Sequence, residues 1–169
     1  MGKGLKPDFY FRDIYAIRPA FLQDHGVRGV ILDIDNTLVY YGVFHPTQRN
    51  TEWLEALRKA GIAAVFVSNG NEERVVKYNG SFGYPFFFKS GKPLRRGFLK
   101  AAQVLGLQPS EIAVIGDQIF TDVWGGNRCG MITCLTDPIQ PEPWFRFRIK
   151  RALERPIVKR LHYTEEQIP

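Results

Sequence analysis

The chain has 169 residues, which suits one domain, and its 44% hydrophobic and 24% charged residues are ordinary for a folded protein. No apolar run approaches the roughly 20 residues that span a bilayer, and the start of the chain lacks a secretory signal, so we expect a cytoplasmic protein. The net charge of +6 does not by itself indicate nucleic acid or anionic lipid, because the position of the charge decides what it binds.

The predicted elements alternate between helix and strand. In chain order they are a helix at 8–23, a strand at 27–32, a helix at 51–59, a strand at 62–67, a helix at 72–78, a strand at 85–88, a helix opened by Gly91-Lys92-Pro93, a strand at 112–115, a short helix through Asp122 and Trp124, and an edge strand at 131–135. This alternation predicts βαβ units and a parallel sheet. The strands are continuous apolar runs, which are typical of strands buried on both faces.

The two cysteines and three histidines do not indicate a metal or redox site. Cys129 and Cys134 lack CxxC spacing, so we predict that both are buried and reduced rather than paired in a disulfide. His25, His45 and His162 show no ligand spacing and are interpreted as surface residues.

The chain changes character near residue 141, so we divide it into a core of residues 1–140 and a basic, amphipathic C-terminal tail of residues 141–169. Phe145, Ile149 and Leu153 recur at a spacing of four and form one apolar stripe of a helix, with basic residues beside it. The tail is either an interfacial helix attracted to anionic lipid or a helix packed on the sheet with a solvated basic face. No RNA-binding motif accompanies it, so no nucleic acid partner is expected.

Polar residues follow the ends of the predicted strands, where ligand sites of open α/β sheets form. They are Asp33 and Asp35, Ser68 and Asn69, Lys92, and Asp117 and Asp122. Clustered carboxylates repel one another unless a hard cation lies among them, and Mg²⁺ prefers such oxygen ligands. A lysine and a hydroxyl can hold phosphate oxygens while a carboxylate attacks phosphorus and forms an aspartyl-phosphate. The residues therefore predict magnesium-dependent phosphoryl transfer.

These motifs resemble those of the haloacid dehalogenase (HAD) superfamily over residues 27–136. The sequence Asp33-Ile34-Asp35-Asn36-Thr37-Leu38 resembles the first motif, Ser68 the second, Lys92 the third, and Gly116-Asp117 with Asp122 the fourth. The stretch from Gly116 to Asp122, followed by Gly125-Gly126-Asn127-Arg128, is similar to the small YqeG-like branch of class IIIA phosphatases. That branch is similar to the phosphatidylglycerophosphate phosphatases of mitochondria and chloroplasts.

The resemblance implies a HAD-like, Rossmann-like parallel sheet flanked by helices. It also implies a capless enzyme, because no large insertion fits between Leu38 and Ser68 or between Asn69 and Lys92. A capless site is open and admits a bulky or membrane-embedded substrate.

The resemblance also implies a role for each motif residue. Asp33 is then the nucleophile and a Mg²⁺ ligand, and Asp35 is the general acid and base, with its backbone carbonyl on the metal. The remaining roles are a Mg²⁺ ligand for Asp117, phosphate binding for Ser68, Asn69 and Lys92, ordering of the loop behind Asp35 for Thr37, and support of the metal ligands for Asp122. Lys89 is the alternative to Lys92 as the phosphate-binding lysine.

The predicted function is hydrolysis of a phosphomonoester, with phosphatidylglycerophosphate as the best substrate and a soluble sugar or nucleotide phosphate as the alternative. Contact of residues 143–160 with an anionic membrane at its inner face is a further expectation. A phospho-receiver domain uses similar residues, but Asp35 speaks against it, because an acid/base group speeds loss of the acyl-phosphate. A binding protein without turnover is the remaining alternative, and the intact set of carboxylates disfavours it.

Overall fold

The computed structural model describes residues 3–80 and 82–166. The strands of its sheet are β1 (Phe9–Phe11), β2 (Gly29–Leu32), β3 (Ala63–Val67), β4 (Phe86–Phe87), β5 (Ile112–Gly116) and β6 (Ile132–Thr136). All neighbouring strands are parallel, in the spatial order β1-β6-β5-β2-β3-β4. The predicted parallel sheet is confirmed.

The register of the sheet places the ends of the central strands side by side. Leu32 of β2 lies opposite Ile115 of β5 and opposite Phe66 of β3. Because these strands are parallel, their carboxyl ends reach the same edge of the sheet. The polar residues that follow these strands are therefore brought to one edge.

Helices cover both faces of the sheet. They are α1 (Pro19–Asp24), α2 (Gln48–Lys59), α3 (Glu72–Asn79), α4 (Arg95–Leu105), α5 (Trp124–Arg128) and the C-terminal α6 (Phe145–Val158). Successive side chains of a strand point to opposite faces. Val30 and Leu32 accordingly pack in a core with residues of α1, α2 and α3, whereas Ile31 packs in a second core with residues of α4. Burial on both faces explains why the strand sequences are continuously apolar.

Helix α2 begins at Gln48, earlier than predicted, because Thr47 and Asn50 form a capping box. The Thr47 hydroxyl accepts the Asn50 N–H at 3.0 Å, and the Asn50 side chain accepts the Thr47 N–H at 3.1 Å. Such a cap stabilises a helix by about 1 kcal/mol. Asn50 is fully buried and also donates to the Leu38 carbonyl at 3.0 Å. The cap therefore anchors the loop that follows β2.

The predicted helix at 8–23 is wrong over its first half. The segment Phe9–Phe11 forms strand β1, which pairs with β6, and α1 begins only at Pro19. Aromatic residues favour strands, and the side chain of Asp13 caps a short 3-10 turn by accepting two backbone N–H groups. Since β1 covers β6, the prediction that β6 is an edge strand is also wrong.

The helix predicted to open at Gly91-Lys92-Pro93 begins at Arg95. Leu94 has an extended backbone, with φ −62° and ψ 137°, so it is the N-cap and Pro93 lies before the helix. Lys92 therefore belongs to a loop between β4 and α4.

The two glycines after the fourth motif serve close packing. A Cβ atom on Gly125 would lie 2.2 Å from the ring of Phe98 in α4. One on Gly126 would lie 2.7 Å from the methyl group of Thr133 in β6. Cβ atoms essentially never lie this close to other heavy atoms, so both glycines let α5 approach its neighbours.

Helix α6 packs on the rest of the protein through a face other than its apolar stripe. The stripe residues Phe145, Ile149 and Leu153 are 76%, 48% and 63% exposed. Glu154 is buried, and Ile157 packs against the cluster that contains Tyr10. The apolar stripe therefore faces away from the sheet.

Both cysteines are free thiols and are buried, as predicted. Across the described parts of the chain, no helix combines the length and the apolar character needed to cross a membrane.

Candidate active site

Asp33 lies at the end of β2, in the centre of the sheet edge. Its N–H donates to the Ile115 carbonyl at 3.1 Å, which extends the pairing of β2 with β5 by one residue. The chain then turns at Asn36, whose positive φ of 63° is tolerated better by Asn than by most residues. The Asn36 side chain exchanges two hydrogen bonds with the backbone of Gln140, each 2.9 Å long. The loop after Asp33 is therefore fixed by the segment that precedes α6.

Lys92 lies against Asp33 and is the lysine that the fold brings into the site. Its Nζ donates to Asp33 Oδ1 at 2.9 Å and to Asp122 Oδ1 at 2.7 Å, and its side chain is almost fully buried. Asn69 holds the lysine backbone, since its Oδ1 accepts the Lys92 N–H at 2.9 Å. Lys89 is exposed. Binding of phosphate by Asn69 and Lys92 stays a prediction.

Three carboxylates meet beside this lysine. Oxygen atoms of Asp33, Asp117 and Asp122 lie within 4.8 Å of one another. The Thr37 hydroxyl donates to Asp117 Oδ1 at 2.8 Å and lies 3.3 Å from Asp33 Oδ2. Thr37 thus bridges two of the acids, in addition to its place in the loop behind Asp35.

Burial controls the charge of this cluster. It raises the pKa of Asp33 to about 7 against the opposing effect of Lys92, and the carboxylate of Asp117 adds to the rise. Burial likewise raises the pKa values of Asp117 and Asp122 to about 6. Buried carboxylate oxygens at this spacing are the donor set that a hard divalent cation requires, so the residues fit a metal ion.

Asp35 lies apart from the three-acid cluster and is bound to a residue that the sequence did not indicate. The Nε of Arg74 in α3 donates to Asp35 Oδ1 at 2.8 Å, and an Nη donates to the Tyr40 carbonyl at 3.2 Å. Arg74 is only 7% exposed. The guanidinium therefore fixes the carboxylate of Asp35 at the rim of the site. Metal binding by the Asp35 backbone carbonyl stays a prediction.

Ser68 is fully buried at the end of β3. Its hydroxyl accepts the Gly70 N–H at 2.9 Å, which shapes the loop that carries Asn69. A Cβ atom on Gly70 would lie 3.3 Å from Asp35 Oδ2 and 3.1 Å from the Ser68 hydroxyl, so the loop passes close to both side chains. A direct contact of Ser68 with phosphate stays a prediction.

Arg151 of α6 is the second residue that sequence reasoning missed. Its guanidinium donates to Asp117 Oδ2 at 2.6 Å and also binds the carboxylates of Glu142 and Glu154. All three acids are buried. The tail sequence shows Arg151 only as one of several basic residues, and the structure corrects that interpretation, because Arg151 points into the site rather than toward solvent.

The site opens into a cavity of about 400 Å³ that is lined both by residues of the segment 1–140 and by residues of the C-terminal tail. Tyr41 lies edge-to-face with Trp144, with ring centroids 5.0 Å apart, and stacks on Phe147 at 6.4 Å. The expected open site therefore has one wall supplied by the C-terminal segment. The lining residues used below are Asp33, Asp35, Lys92, Tyr41, Trp144, Arg146, Phe147 and Lys150.

Comparison with known proteins agrees with this geometry. Residues 46–130 match the haloacid dehalogenase-like hydrolase family, and the chain belongs to that family. The match includes the residues of the second, third and fourth motifs, while Asp33 and Asp35 precede it. The chain is a phosphatase of the HAD superfamily.

Particular relatives refine this assignment. The chain is 39% identical over 155 residues to the probable phosphatase YqeG of Bacillus subtilis (strain 168), across 92% of this chain and 90% of that protein. It is 27% identical over 164 residues to phosphatidylglycerophosphate phosphatase 1, chloroplastic/mitochondrial, of Arabidopsis thaliana, across 91% of this chain and 47% of that protein. The cobalt-bound deoxy-D-mannose-octulosonate 8-phosphate phosphatase of Haemophilus influenzae has the same fold, with a TM-score of 0.51 and 15% identity over 78% of this chain and 89% of that one.

Proposed function

We propose that this phosphatase hydrolyses a phosphomonoester through an aspartyl-phosphate on Asp33, with Mg²⁺ as the cofactor. The observation that carries the proposal is the position of Asp33 at the floor of the cavity. There its carboxylate contacts Lys92 and lies beside Asp117 and Asp122. The proposed nucleophile, the proposed phosphate-binding cation and a set of acids that fits a metal ion therefore lie together, which supports the proposal.

The proposed reaction has two displacements. An oxygen of Asp33 attacks phosphorus, the bond from phosphorus to the leaving oxygen breaks, and Asp35 gives that oxygen a proton. Asp35 then takes a proton from water as the water oxygen attacks phosphorus. The bond between phosphorus and the Asp33 oxygen breaks, inorganic phosphate leaves, and the Asp33 carboxylate is restored. Arg74 holds Asp35 in place for both proton transfers.

Asp33 and Asp117, together with the backbone carbonyl of Asp35, would hold Mg²⁺, and Asp122 would support them. The bound ion lowers the repulsion between the Asp33 carboxylate and the phosphate dianion. Lys92 adds a second positive charge on the same side.

Magnesium should raise the melting temperature of the chelator-treated protein, and more so at about pH 8 than at about pH 5. Because burial raises the pKa of Asp33 to about 7, the metal-free folded state binds extra protons between about pH 4 and pH 7, and its stability falls as pH rises through that range. Protons compete with the metal at low pH. At a concentration 100 times Kd, Mg²⁺ should raise the melting temperature by about 5–10 °C.

Calorimetric scans with chelator and with Mg²⁺ test this expectation. Asp117→Asn is the variant that should lose most of the shift in melting temperature.

Ca²⁺ should bind but inhibit, because its longer and more numerous oxygen contacts can draw both oxygens of Asp33 onto the ion. Full activity after exhaustive chelation would contradict the proposed cofactor.

We propose phosphatidylglycerophosphate as the substrate. Support comes from the similarity to the Arabidopsis phosphatidylglycerophosphate phosphatase and from the exposed apolar stripe beside the cavity. A soluble sugar or nucleotide phosphate is the alternative. Rates on short-chain phosphatidylglycerophosphate, on sugar phosphates and on nucleotide monophosphates, measured with the same enzyme preparation, separate the two.

We further propose that residues 143–160 rest on an anionic membrane at its inner, cytoplasmic face. Phe145, Ile149 and Leu153 form an exposed apolar stripe, and Arg148 and Arg155 are exposed on the same helix. Each basic residue near such a surface contributes about 1 kcal/mol, and salt weakens that contribution. The apolar stripe adds a contribution that salt does not screen.

Replacement of Phe145, Ile149 and Leu153 by Ser should therefore reduce sedimentation with anionic vesicles at both low and high salt. Because these side chains are exposed, the fold should be kept. The matched control changes three other exposed residues to Ser, namely Leu94, Leu99 and Val104, which are 60%, 40% and 53% exposed. Equal sedimentation of the wild type and the stripe variant would show that the stripe does not contact membranes.

A further inference from the structure

Two cations, Arg146 and Lys150, lie in the wall of the cavity. Neither forms an ion pair with any residue in the described parts of the chain. By contrast, Lys92 is bound to Asp33 and Asp122. Arg146 and Lys150 are four residues apart on α6, so they share one face of the helix. The cavity therefore contains two positive charges that its own acids do not neutralise.

The rings of Tyr41, Trp144 and Phe147 form an aromatic platform that holds these cations beside the cavity. The guanidinium carbon of Arg146 lies 4.8 Å from the ring centroid of Phe147, and Lys150 Nζ lies 5.5 Å from it, both within cation–π range. Phe147 in turn stacks on Tyr41 and packs edge-to-face with Trp144 at 5.7 Å. The Tyr41 hydroxyl donates to buried Glu142 at 2.9 Å, which fixes the platform to the core.

The two acids that line the cavity are bound to other cations. Asp33 is bound to Lys92, and Asp35 is bound to Arg74. Arg146 and Lys150 are therefore not the ion-pair partners of these catalytic groups. The volume of about 400 Å³ lies in the range of sites for whole small molecules, roughly 300–1,000 Å³, so the cavity has room beyond the phosphate that reacts.

We propose that Arg146 and Lys150 form a second anion-binding subsite, and that the preferred substrate carries a second anionic group besides its phosphomonoester. This inference rests on the proposed phosphatase function and names the substrate class. The phosphomonoester lies at Asp33 and Lys92, and the second anion lies at Arg146 and Lys150. The aromatic platform contacts the carbon atoms of the substrate that lie between or beside its two anionic groups.

Two soluble probes with the same reacting end test the subsite without a membrane. Glycerophosphoglycerol phosphate carries a phosphodiester next to its phosphomonoester, whereas glycerol phosphate carries the phosphomonoester alone. The wild-type enzyme should show a kcat/KM about 10-fold or more higher for the first probe, the contribution expected of one charge-assisted hydrogen bond. In the Arg146→Gln, Lys150→Gln double variant this preference should fall to about 2-fold or less.

The control variant carries Arg96→Gln and Lys100→Gln. These two residues are exposed, lie four residues apart on α4 and do not line the cavity, while the change in net charge is the same. It should keep the wild-type preference, and melting temperatures of both variants should match that of the wild type.

The outcomes separate this inference from the proposed function. Equal kcat/KM values of the wild type for the two probes, or a preference retained by the Arg146/Lys150 variant, would overturn the subsite and leave the phosphatase proposal standing. Activity of the wild type on a sugar or nucleotide phosphate, with none on either probe, would overturn the subsite and leave the reaction standing. Inactivity on all of these substrates in the presence of Mg²⁺ would overturn the proposed reaction, and the subsite with it. Loss of the preference in the control variant as well would show a long-range charge effect instead of a subsite.

Discussion

Replacing Asp33 by Asn should abolish turnover and leave the fold intact. An amide is not a competent nucleophile toward phosphorus, and covalent catalysis of this kind lowers the barrier by on the order of 8 kcal/mol or more, about 10⁶-fold in rate. The fold should survive, because an Asn side-chain oxygen can still accept the hydrogen bond from Lys92. Burial already raises the pKa of Asp33 to about 7, so its charged form is not what stabilises the metal-free protein.

Phosphate release in single-turnover mixing, together with the melting temperature, measures this prediction. Asp24→Asn is the matched control, since Asp24 is exposed at the end of α1 and should tolerate the same chemical change without loss of rate. Near-normal activity in a well-folded Asp33→Asn protein would show that Asp33 is not the nucleophile.

The sheet and the acids at its edge could be predicted from sequence because both follow from local patterns. Continuous apolar runs indicate strands buried on both faces, and parallel strands bring the residues after their carboxyl ends together. Asp33, Lys92, Asp117 and Asp122 accordingly lie in direct contact or within a few ångströms of one another. Strand β1 was missed because three residues are too short to show a period, so the segment was included in the predicted helix at 8–23.

The arginines of the site could not be predicted, because nothing local distinguishes them from surface residues. Arg74 lies in α3, 39 residues after its partner Asp35, and Arg151 lies 34 residues after Asp117. A long basic side chain on a helix is solvated by default, and only tertiary packing shows that it reaches a buried acid. The sequence offered one weak signal for Arg151, because the acid Glu154 follows it at helical spacing in an otherwise basic helix.

The tail also shows why one helix can carry several roles. Arg151 and Glu154 on one face of α6 bind the core, and Arg146 and Lys150 face the cavity. Substitution of all the basic residues of α6 together would therefore remove a structural ion pair along with any lipid contact. Membrane binding must be tested through the apolar stripe, as proposed above.

Replacing Asp35 by Asn should slow both formation and breakdown of the aspartyl-phosphate, by roughly 10²–10⁴-fold for lost acid/base catalysis. The Asn side-chain oxygen can still accept the hydrogen bond from Arg74 Nε, now 2.8 Å from Asp35 Oδ1, so the side chain should keep its position. The loss of rate then reports the missing proton transfer rather than a displaced side chain. Removing the carboxylate leaves the buried guanidinium without its ion-pair partner, so the melting temperature should also fall.

The leaving group separates the two roles of Asp35. An aryl phosphate with an acidic phenol needs little protonation as it leaves, so Asp35→Asn should form the covalent intermediate from it at close to the normal rate. Breakdown still needs a base for the water, so one equivalent of phenol should appear in a burst, followed by slow turnover. An alkyl phosphate should give no burst, because its first step is slow as well. Rapid-quench measurement of the phosphorylated enzyme checks both cases, and an unchanged breakdown rate in the variant would mean that a group other than Asp35 activates the water.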